Sequence, residues 1–292
     1  MRMILLGILV LVVAGSLCAQ EELSSELEVH TYRELLDSEL GAIASLNAVV
    51  FRPGDGHLDS SEVAVVVFHG GGWSMGSGEW AYGTALHFAE LGLVGIAINY
   101  RLSDQLLTSP VDAMADARAA IRWTRENAEM LRVSPDKIVA YGWSAGAHLA
   151  MSAAIFSEME PRSDTSSVPN ALVLKSPALD LVNDKWFCTL LGDSLGAADY
   201  SPVEHVRAGL PPTLILQGDT DTVTPVAGVK KFRDRMIAAG NRCELVVYEK
   251  VGHLFTPAGE PDDRYPNPDP KTQAAAWREV DIFLESLGYL AE

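Results

Sequence analysis

A Gly-X-Ser-X-Gly pattern centres on Ser144, a residue type whose hydroxyl can attack a carbonyl carbon. Gly142 and Gly146 stand two residues to either side of it. An apolar run at 138–141 precedes the pattern and a run of helical period at 147–156 follows it, which is the strand, turn and helix order that this pattern requires. Glycines are needed because a sharp turn leaves no room for side chains there. The spacing therefore predicts a nucleophile held at a tight turn, beside a helix N-terminus that favours negative charge.

A glycine-rich motif follows another apolar run, at 63–68. It reads His69, Gly70, Gly71, Gly72 and Trp73. Backbone N–H groups that no Cβ covers can converge on an oxyanion. We therefore predict oxyanion donors at Gly71 and Gly72, together with Ala145 directly after the serine. His69 is expected to brace this loop, whereas an ordinary flexible loop would explain the glycines alone.

A carboxylate and an imidazole that could activate the serine come later in the chain. Asp219 and Asp221 follow an apolar run at 213–217, and His253 follows one at 244–249. An aspartate can hold an imidazole in the tautomer that accepts the serine proton. Asp219 adjoins the turn glycine and is expected to secure its own loop, so Asp221 is the preferred partner. His253 is the preferred base among seven histidines, because Ser, Asp, His is the chain order expected of this arrangement.

These residues need a scaffold that brings the ends of several strands to one edge. Apolar strand-like runs alternate with longer segments of helical period, which predicts an α/β fold with a mostly parallel central sheet and helices on both faces. Strands are predicted at 46–52, 62–68, 93–99, 138–142, 171–176, 213–217 and 244–249. Helices are predicted at 80–91, 110–132, 145–157, 226–239 and 271–287. Two long irregular stretches, 177–212 and 252–270, are expected to shape a pocket.

The chain is predicted to have three parts, of which the first two are short N-terminal segments. Residues 1–19 combine Arg2, an apolar run and small residues before a cut after Ala19, which indicates a signal peptide. Residues 20–45 form an acidic entry segment with helical character, and residues 46–292 form the catalytic domain. We therefore expect a secreted or periplasmic protein without stable membrane insertion after cleavage. An uncleaved anchor helix is the alternative.

Composition excludes one class of partner and leaves the cysteines open. The 292 residues include 22 Lys and Arg against 39 Asp and Glu, for a net charge of −17. Nucleic acid is excluded as a partner, because a phosphate backbone is held by clustered basic residues. Cys188 and Cys243 match no metal-ligand spacing, and whether they form a disulfide stays open.

The motifs HGGGW, GWSAG, GDTDTVTP and VGHLF, with AINYR at 97–101 and DAMADARAAIRW at 112–123, resemble those of the α/β-hydrolase superfamily. Within it, the chain is similar to the esterase and lipase branch related to hormone-sensitive lipase and bacterial acetyl and feruloyl esterases. The resemblance spans roughly residues 46–287. It implies an eight-stranded, mostly parallel sheet, a Ser144, Asp221, His253 triad, no metal and no organic cofactor. Ala147 departs from the family pattern, since relatives often have glycine there.

The expected reaction is two-step hydrolysis of a carboxylic ester through an acyl-enzyme. The expected substrate is a small-molecule or carbohydrate-linked ester: a short-chain acyl ester or an acylated polysaccharide. Alternatives are a serine peptidase of prolyl oligopeptidase type, a small-amide hydrolase resembling kynurenine formamidase, and a non-catalytic binding module. Four tryptophans in or near the motifs are expected either to contact substrate or to pack in the core: Trp73, Trp80, Trp143 and Trp186.

Overall fold

The structure is a computed structural model. It describes residues 28–36, 43–54, 62–103, 108–159, 164–192, 195–262 and 266–290. The predicted signal peptide lies outside the described residues, as does the start of the predicted entry segment.

The described strands form one eight-stranded sheet. They are β1 (Glu28–Leu36), β2 (Ile43–Phe51), β3 (Ala64–Phe68), β4 (Val94–Ile98), β5 (Ile138–Trp143), β6 (Ala171–Lys175), β7 (Thr213–Gly218) and β8 (Cys243–Tyr248). Their spatial order is β1-β2-β4-β3-β5-β6-β7-β8. The pairs β1 with β2 and β2 with β4 are antiparallel, and all the other neighbours in the sheet are parallel.

Helices cover both faces of this sheet. They are α1 (Tyr82–Glu90), α2 (Pro110–Glu126), α3 (Ala128–Leu131), α4 (Ala145–Ile155), α5 (Lys185–Leu191), α6 (Val226–Ala238) and α7 (Pro270–Ser286). Buried residues of α2, α4 and α6 join the core on one face, and those of α1 and α7 join the core on the other. The predicted α/β class, with its mostly parallel sheet, is confirmed.

The central strands are apolar on both sides because both of their faces are covered. Every residue of β3, β4 and β6 is buried. Strands buried on two faces lose the alternation of polar and apolar residues and become continuous apolar runs. This is why the sequence located these strands to within two residues of their bounds.

Strand β1 was not predicted, and the expected helical character of its segment is wrong for residues 28–36. The strand is charged and mostly accessible, and a bulge lies between Thr31 and Arg33. Its pairing with β2 supplies the backbone hydrogen bonds, and its buried Tyr32 donates a hydrogen bond to the Asn99 carbonyl at 2.9 Å. An edge strand of this kind depends on a neighbouring strand more than on its own apolar pattern.

The irregular stretch at 177–212 contains one short helix, α5, along with 3₁₀ turns at Ala197–Tyr200 and Pro202–His205. Asp184 begins α5, because its side chain accepts a hydrogen bond from the Phe187 N–H at 2.9 Å. Among the helices that the structure describes, none has the length and hydropathy needed to cross a membrane.

Candidate active site

Ser144 lies in the turn between β5 and α4, in a strained backbone conformation. Its φ is 54° and its ψ is −122°, and its N–H donates to the Lys175 carbonyl at 3.0 Å. A Cβ on Gly142 would meet the carbonyl of Gly146, and a Cβ on Gly146 would meet the carbonyl of Phe68. Both glycines are therefore required by close backbone contact, as the motif predicts. The turn stores strain of the kind found at functional sites.

The structure brings Ser144, His253 and Asp221 together in one hydrogen-bonded line. His253 Nε2 lies 2.9 Å from Ser144 Oγ. On the other side of the ring, His253 Nδ1 lies 3.0 Å and 3.2 Å from the two carboxylate oxygens of Asp221. An Nδ1–H that donates to Asp221 leaves Nε2 free to accept the serine proton. The three side chains are almost fully buried, which strengthens these interactions.

The side chain of Asp221 is held in position by hydrogen bonds from its own loop and strand. Its oxygens accept from the Val223 N–H at 3.0 Å and the Thr224 N–H at 2.7 Å. They also accept from the Thr224 hydroxyl at 2.9 Å and the Gln217 side-chain amide at 3.0 Å. These donors fix the carboxylate oxygens in the plane that faces His253.

Asp219 does not share this arrangement. It is exposed, and its backbone N–H donates to the Tyr248 carbonyl at 2.9 Å. Among the described residues, the carboxylate bonded to the His253 ring is that of Asp221. The structure therefore places Asp221, and not Asp219, against the His253 ring.

The glycine loop after β3 adopts backbone angles that favour glycine. Gly71 has a φ of 120° and Gly72 a φ of 57°. The Gly72 carbonyl accepts a hydrogen bond from the Trp186 Nε1–H at 2.9 Å. In the described part of the chain, the N–H groups of Gly71, Gly72 and Ala145 donate to no acceptor. They stay available as the predicted oxyanion donors.

The buried His69 side chain supports this loop through a hydrogen bond and a ring contact. Its ring stacks on Tyr100, with centroids 4.3 Å apart, and its Nδ1–H donates to the Gly70 carbonyl at 2.6 Å. Burial lowers the pKa of His69 to about 4, so the ring is neutral at neutral pH. A Cβ on Gly70 would come within 2.7 Å of the Trp143 indole, which explains the glycine there.

His148, four residues after Ser144 on the same helix, is a second buried histidine. It accepts a hydrogen bond from the Trp73 Nε1–H at 3.1 Å and donates one from Nε2–H to the Tyr200 carbonyl at 3.1 Å. Burial lowers its pKa to about 4. The ring therefore connects helix α4, the glycine loop and the 177–212 stretch.

Asp262 supports the histidine and the aspartate loops together, and no sequence pattern marks it. One of its oxygens accepts from the His253 N–H at 2.9 Å and the Thr222 N–H at 3.2 Å. The other accepts from the Thr222 hydroxyl at 2.6 Å. Burial raises the pKa of this carboxyl, but the hydrogen bonds from Thr222 and His253 outweigh burial and lower it overall.

Both irregular stretches line cavities, as expected. A cavity of about 480 Å³ lies between residues of the 177–212 stretch and the loop that carries Asp221. A second cavity, of about 300 Å³, is lined in part by residues of the 252–270 stretch. Residues 263–265 of that stretch lie outside the described part.

The four tryptophans divide between core and surface. Trp73 is buried and packs on Phe187, with ring centroids 4.9 Å apart, so it is a core residue. Trp186 is 46% exposed and lines the larger cavity. Trp80 is 52% exposed and Trp143 is half-buried, and both line the smaller cavity.

The described residues contain no cluster that could bind a metal ion, and their two cysteines are free thiols. Among the described residues, no group of three or more His, Cys, Asp or Glu side chains has a spacing that could hold a metal ion. Cys188 is an exposed free thiol, and Cys243 is a buried free thiol whose pKa burial raises to about 12.

Two family descriptions match this chain. The BD-FAE family matches residues 55–236, more than half of the chain, and the dienelactone hydrolase family matches residues 196–287. The first match contains Ser144 and Asp221, and the second contains Asp221 and His253. The chain belongs to the BD-FAE family.

Several of the similar curated proteins are esterases. An acetylxylan esterase from Xylanibacter ruminicola is 30% identical over 205 residues, which cover 66% of this chain and 41% of that protein. A probable carboxylic ester hydrolase, LipM, from Mycobacterium tuberculosis is 31% identical over 202 residues, which cover 61% of this chain and 46% of that protein. The chain thus spans less than half the length of these relatives.

A solved esterase shares almost the whole fold. Esterase 2 from Thermogutta terrifontis, phosphoramylated by tabun, is 34% identical with a TM-score of 0.77, over 91% of this chain and 96% of that one. Its propionate-bound form has a TM-score of 0.76 at the same identity and coverage. The chain has the α/β-hydrolase fold, and its class is that of the carboxylic ester hydrolases.

Proposed function

We propose that this protein hydrolyses carboxylic esters through an acyl-enzyme formed on Ser144. The observation that carries the proposal is the line from Asp221 through His253 to Ser144, with 3.0 Å and 2.9 Å between the bonded atoms. The 2.9 Å between His253 Nε2 and Ser144 Oγ is within the range in which a proton passes from a nucleophile to its base, and the 3.0 Å to Asp221 lets the carboxylate orient the ring.

The reaction follows from the chemistry of the three groups. His253 Nε2 takes the Ser144 proton as the hydroxyl oxygen attacks the acyl carbon, and Asp221 stabilises the imidazolium. The imidazolium returns the proton to the leaving alcohol, which leaves the acyl group on Ser144. Water then attacks the acyl-enzyme with His253 as base, and the carboxylic acid departs.

The charge on the carbonyl oxygen is stabilised by the backbone donors. The N–H groups of Gly71, Gly72 and Ala145 serve this role. The first two lie in the glycine loop and the third begins α4, and among the described residues none of the three donates to another acceptor. One such donor typically contributes a factor on the order of 10²–10³ in rate. Trp186 contributes indirectly, since its hydrogen bond to the Gly72 carbonyl restrains the glycine loop.

The substrate is a short-chain acyl ester, either a small molecule or an acyl group on a carbohydrate. Two similarities support this choice: esterase 2 of T. terrifontis has propionate-bound and butyrate-bound structures, and another relative is an acetylxylan esterase. The apolar segment at 1–19 supports export, so the proposed location is secreted or periplasmic.

Hydrolysis of p-nitrophenyl esters with acetyl, butyryl, octanoyl and feruloyl groups tests the proposal. The Ser144→Ala variant should lose at least about 10⁴-fold in kcat/KM, because the nucleophile is gone. Ser157→Ala is the matched control, since Ser157 follows the end of the same helix and contacts Arg207. Undiminished turnover by Ser144→Ala would reject the mechanism.

Two further measurements separate the alternatives. A p-nitroanilide with the same acyl group should release no measurable p-nitroaniline, whereas a peptidase or amide hydrolase would hydrolyse it at a measurable rate. A fluorophosphonate probe should label Ser144 covalently. A binding module on the same fold would leave it unlabelled.

A further inference from the structure

Lys175 is a buried cation with few partners. It is the last residue of β6, and it is 8% exposed. Its Nζ donates to the Gln273 side-chain oxygen at 2.5 Å and lies 4.5 Å from the centre of the Phe255 ring. Among the described residues, no carboxylate lies within ion-pair distance of it. An ammonium group has three N–H donors, so one amide oxygen leaves its capacity incompletely used.

Burying this charge without a counter-charge is unfavourable. Burial lowers the pKa of Lys175 to about 8. The amine is therefore mostly protonated at neutral pH and loses its proton more easily than an exposed lysine does. Buried cations are normally paired with an anion or with several acceptors. A ligand with one negative charge would supply the missing partner.

The cavity beside Lys175 has walls that fit a flat ring. Its volume is about 300 Å³, at the lower end of the usual range for small-molecule sites. Its lining includes Lys175, Gln273 and the aromatic side chains of Tyr141, Trp143 and Trp277. Tyr141 and Trp277 are stacked with centroids 5.7 Å apart and an angle of 14° between their planes. Trp143 and Trp277 are half-buried, so part of each indole is accessible.

The cavity adjoins the proposed catalytic site without sharing its reacting groups. Trp143 directly precedes Ser144 and Leu254 directly follows His253, but Ser144 and His253 themselves are not among the lining residues. Lys175 and Trp143 are register partners on β6 and β5, and both face the side of the sheet that α1 and α7 cover. The cavity therefore lies next to the proposed catalytic residues without being lined by them.

We propose that this cavity, the Lys175 pocket, binds a small planar aromatic carboxylate. The carboxylate pairs with Lys175 Nζ, and the ring packs against the indoles of Trp143 and Trp277. The single positive charge of Lys175 is balanced by the single negative charge of one carboxylate. The aromatic walls add stacking that an aliphatic acid would not gain. This proposal goes beyond the proposed function, because it requires neither Ser144 nor turnover.

Calorimetric titration of the full protein with benzoate tests the charge requirement. Benzamide keeps the ring and removes the charge, whereas acetate keeps the charge and removes the ring. We expect benzoate to bind at least about tenfold more tightly than either, because each lacks one of the two interactions. Equal binding of benzoate and benzamide would overturn the proposal.

Two lysine variants locate the site. Lys175→Met keeps the length of the side chain and removes its charge, and it should weaken benzoate binding by about tenfold or more. Lys185→Met is the matched control, because Lys185 is exposed and lines the other cavity. It should bind benzoate like the unchanged protein. Unaltered binding by folded Lys175→Met would reject the assignment.

A third arm separates this pocket from the catalytic site. Protein first labelled on Ser144 by a fluorophosphonate should still bind benzoate, whereas benzoate seated as a product in the catalytic site would be displaced. If Lys175→Met fails to fold by circular dichroism, Trp277→Leu replaces it and should also weaken benzoate binding by several-fold. Unchanged binding in that variant would count against the proposal.

Discussion

Asp221 and Asp219 stand two residues apart but differ in what surrounds their carboxylates. The Asp221 carboxylate accepts hydrogen bonds from two backbone N–H groups and two side chains in addition to His253. Asp219 is exposed on the outside of the same loop. The position and the hydrogen-bond partners of the carboxylate, rather than the residue type, therefore determine which aspartate can hold the imidazole in one tautomer.

The Asp221→Asn variant tests this difference. The amide is nearly the same size, but it carries no charge and can present an N–H to His253 Nδ1, which favours the wrong tautomer. We expect kcat/KM for p-nitrophenyl butyrate to fall by about 10³–10⁴-fold. Asp219→Asn should retain activity within about twofold, because that carboxylate bonds nothing in the site. Equal losses in the two variants would contradict the assignment.

At the scale of the elements, the turn between β5 and α4 depends on close contact between backbones. Gly146, in the first turn of α4, lies so near β3 that a Cβ would meet the carbonyls of both Phe68 and His69. Backbone atoms inside a sheet cannot move aside for a methyl group, so strain would shift the helix and with it Ser144.

Gly146→Ala should therefore lower both the melting temperature and kcat. Gly83→Ala is the matched control, because Gly83 lies in α1 and a Cβ there would meet nothing within 4 Å. Alanine in an open helical position stabilises by about 0.5–1 kcal/mol, so Gly83→Ala should raise the melting temperature slightly. Thermal unfolding by circular dichroism measures both. A Gly146→Ala protein as stable as Gly83→Ala would show that the turn has more room than the structure indicates.

The elements differ in how far the sequence predicts them. Strands such as β3 are apolar throughout and are followed by glycine-rich turns, so both the strand and the motif residues after it are visible in the chain. Strand β1 is charged, and its conformation comes from pairing with β2, so no local pattern indicates it.

The same distinction applies to the site. Ser144 directly follows β5, Asp221 and His253 lie in the loops after β7 and β8, and parallel strands place such residues at one edge. Asp262 and His148 instead act through contacts with loops far away in the chain, to Thr222 and Trp73. Contacts of that kind arise from tertiary packing, which spacing along the sequence does not encode.

For the whole molecule, two buried neutral histidines make stability depend on pH. Burial lowers the pKa values of His69 and His148 from the usual value near 6.5 to about 4. In the unfolded chain both rings take up protons near pH 6.5, whereas in the folded protein they do so near pH 4. The unfolded state therefore binds more protons between these values, and stability falls as pH falls from 6.5 towards 4.

Replacing His148 should remove its share of this loss. His148→Gln keeps a donor and an acceptor in the cavity but cannot take up a proton. Its melting temperature should therefore fall less than that of the unchanged protein between pH 7 and 4.5, by several degrees, since one pKa unit corresponds to about 1.4 kcal/mol. Between pH 7 and 8 the two curves should run parallel, because neither state of the histidine titrates there. Carboxylates contribute equally to both proteins, so the difference isolates His148. Parallel curves down to pH 4.5 would mean that this ring takes up its proton at the same pH in the folded and the unfolded protein, which would contradict the effect of burial on its pKa.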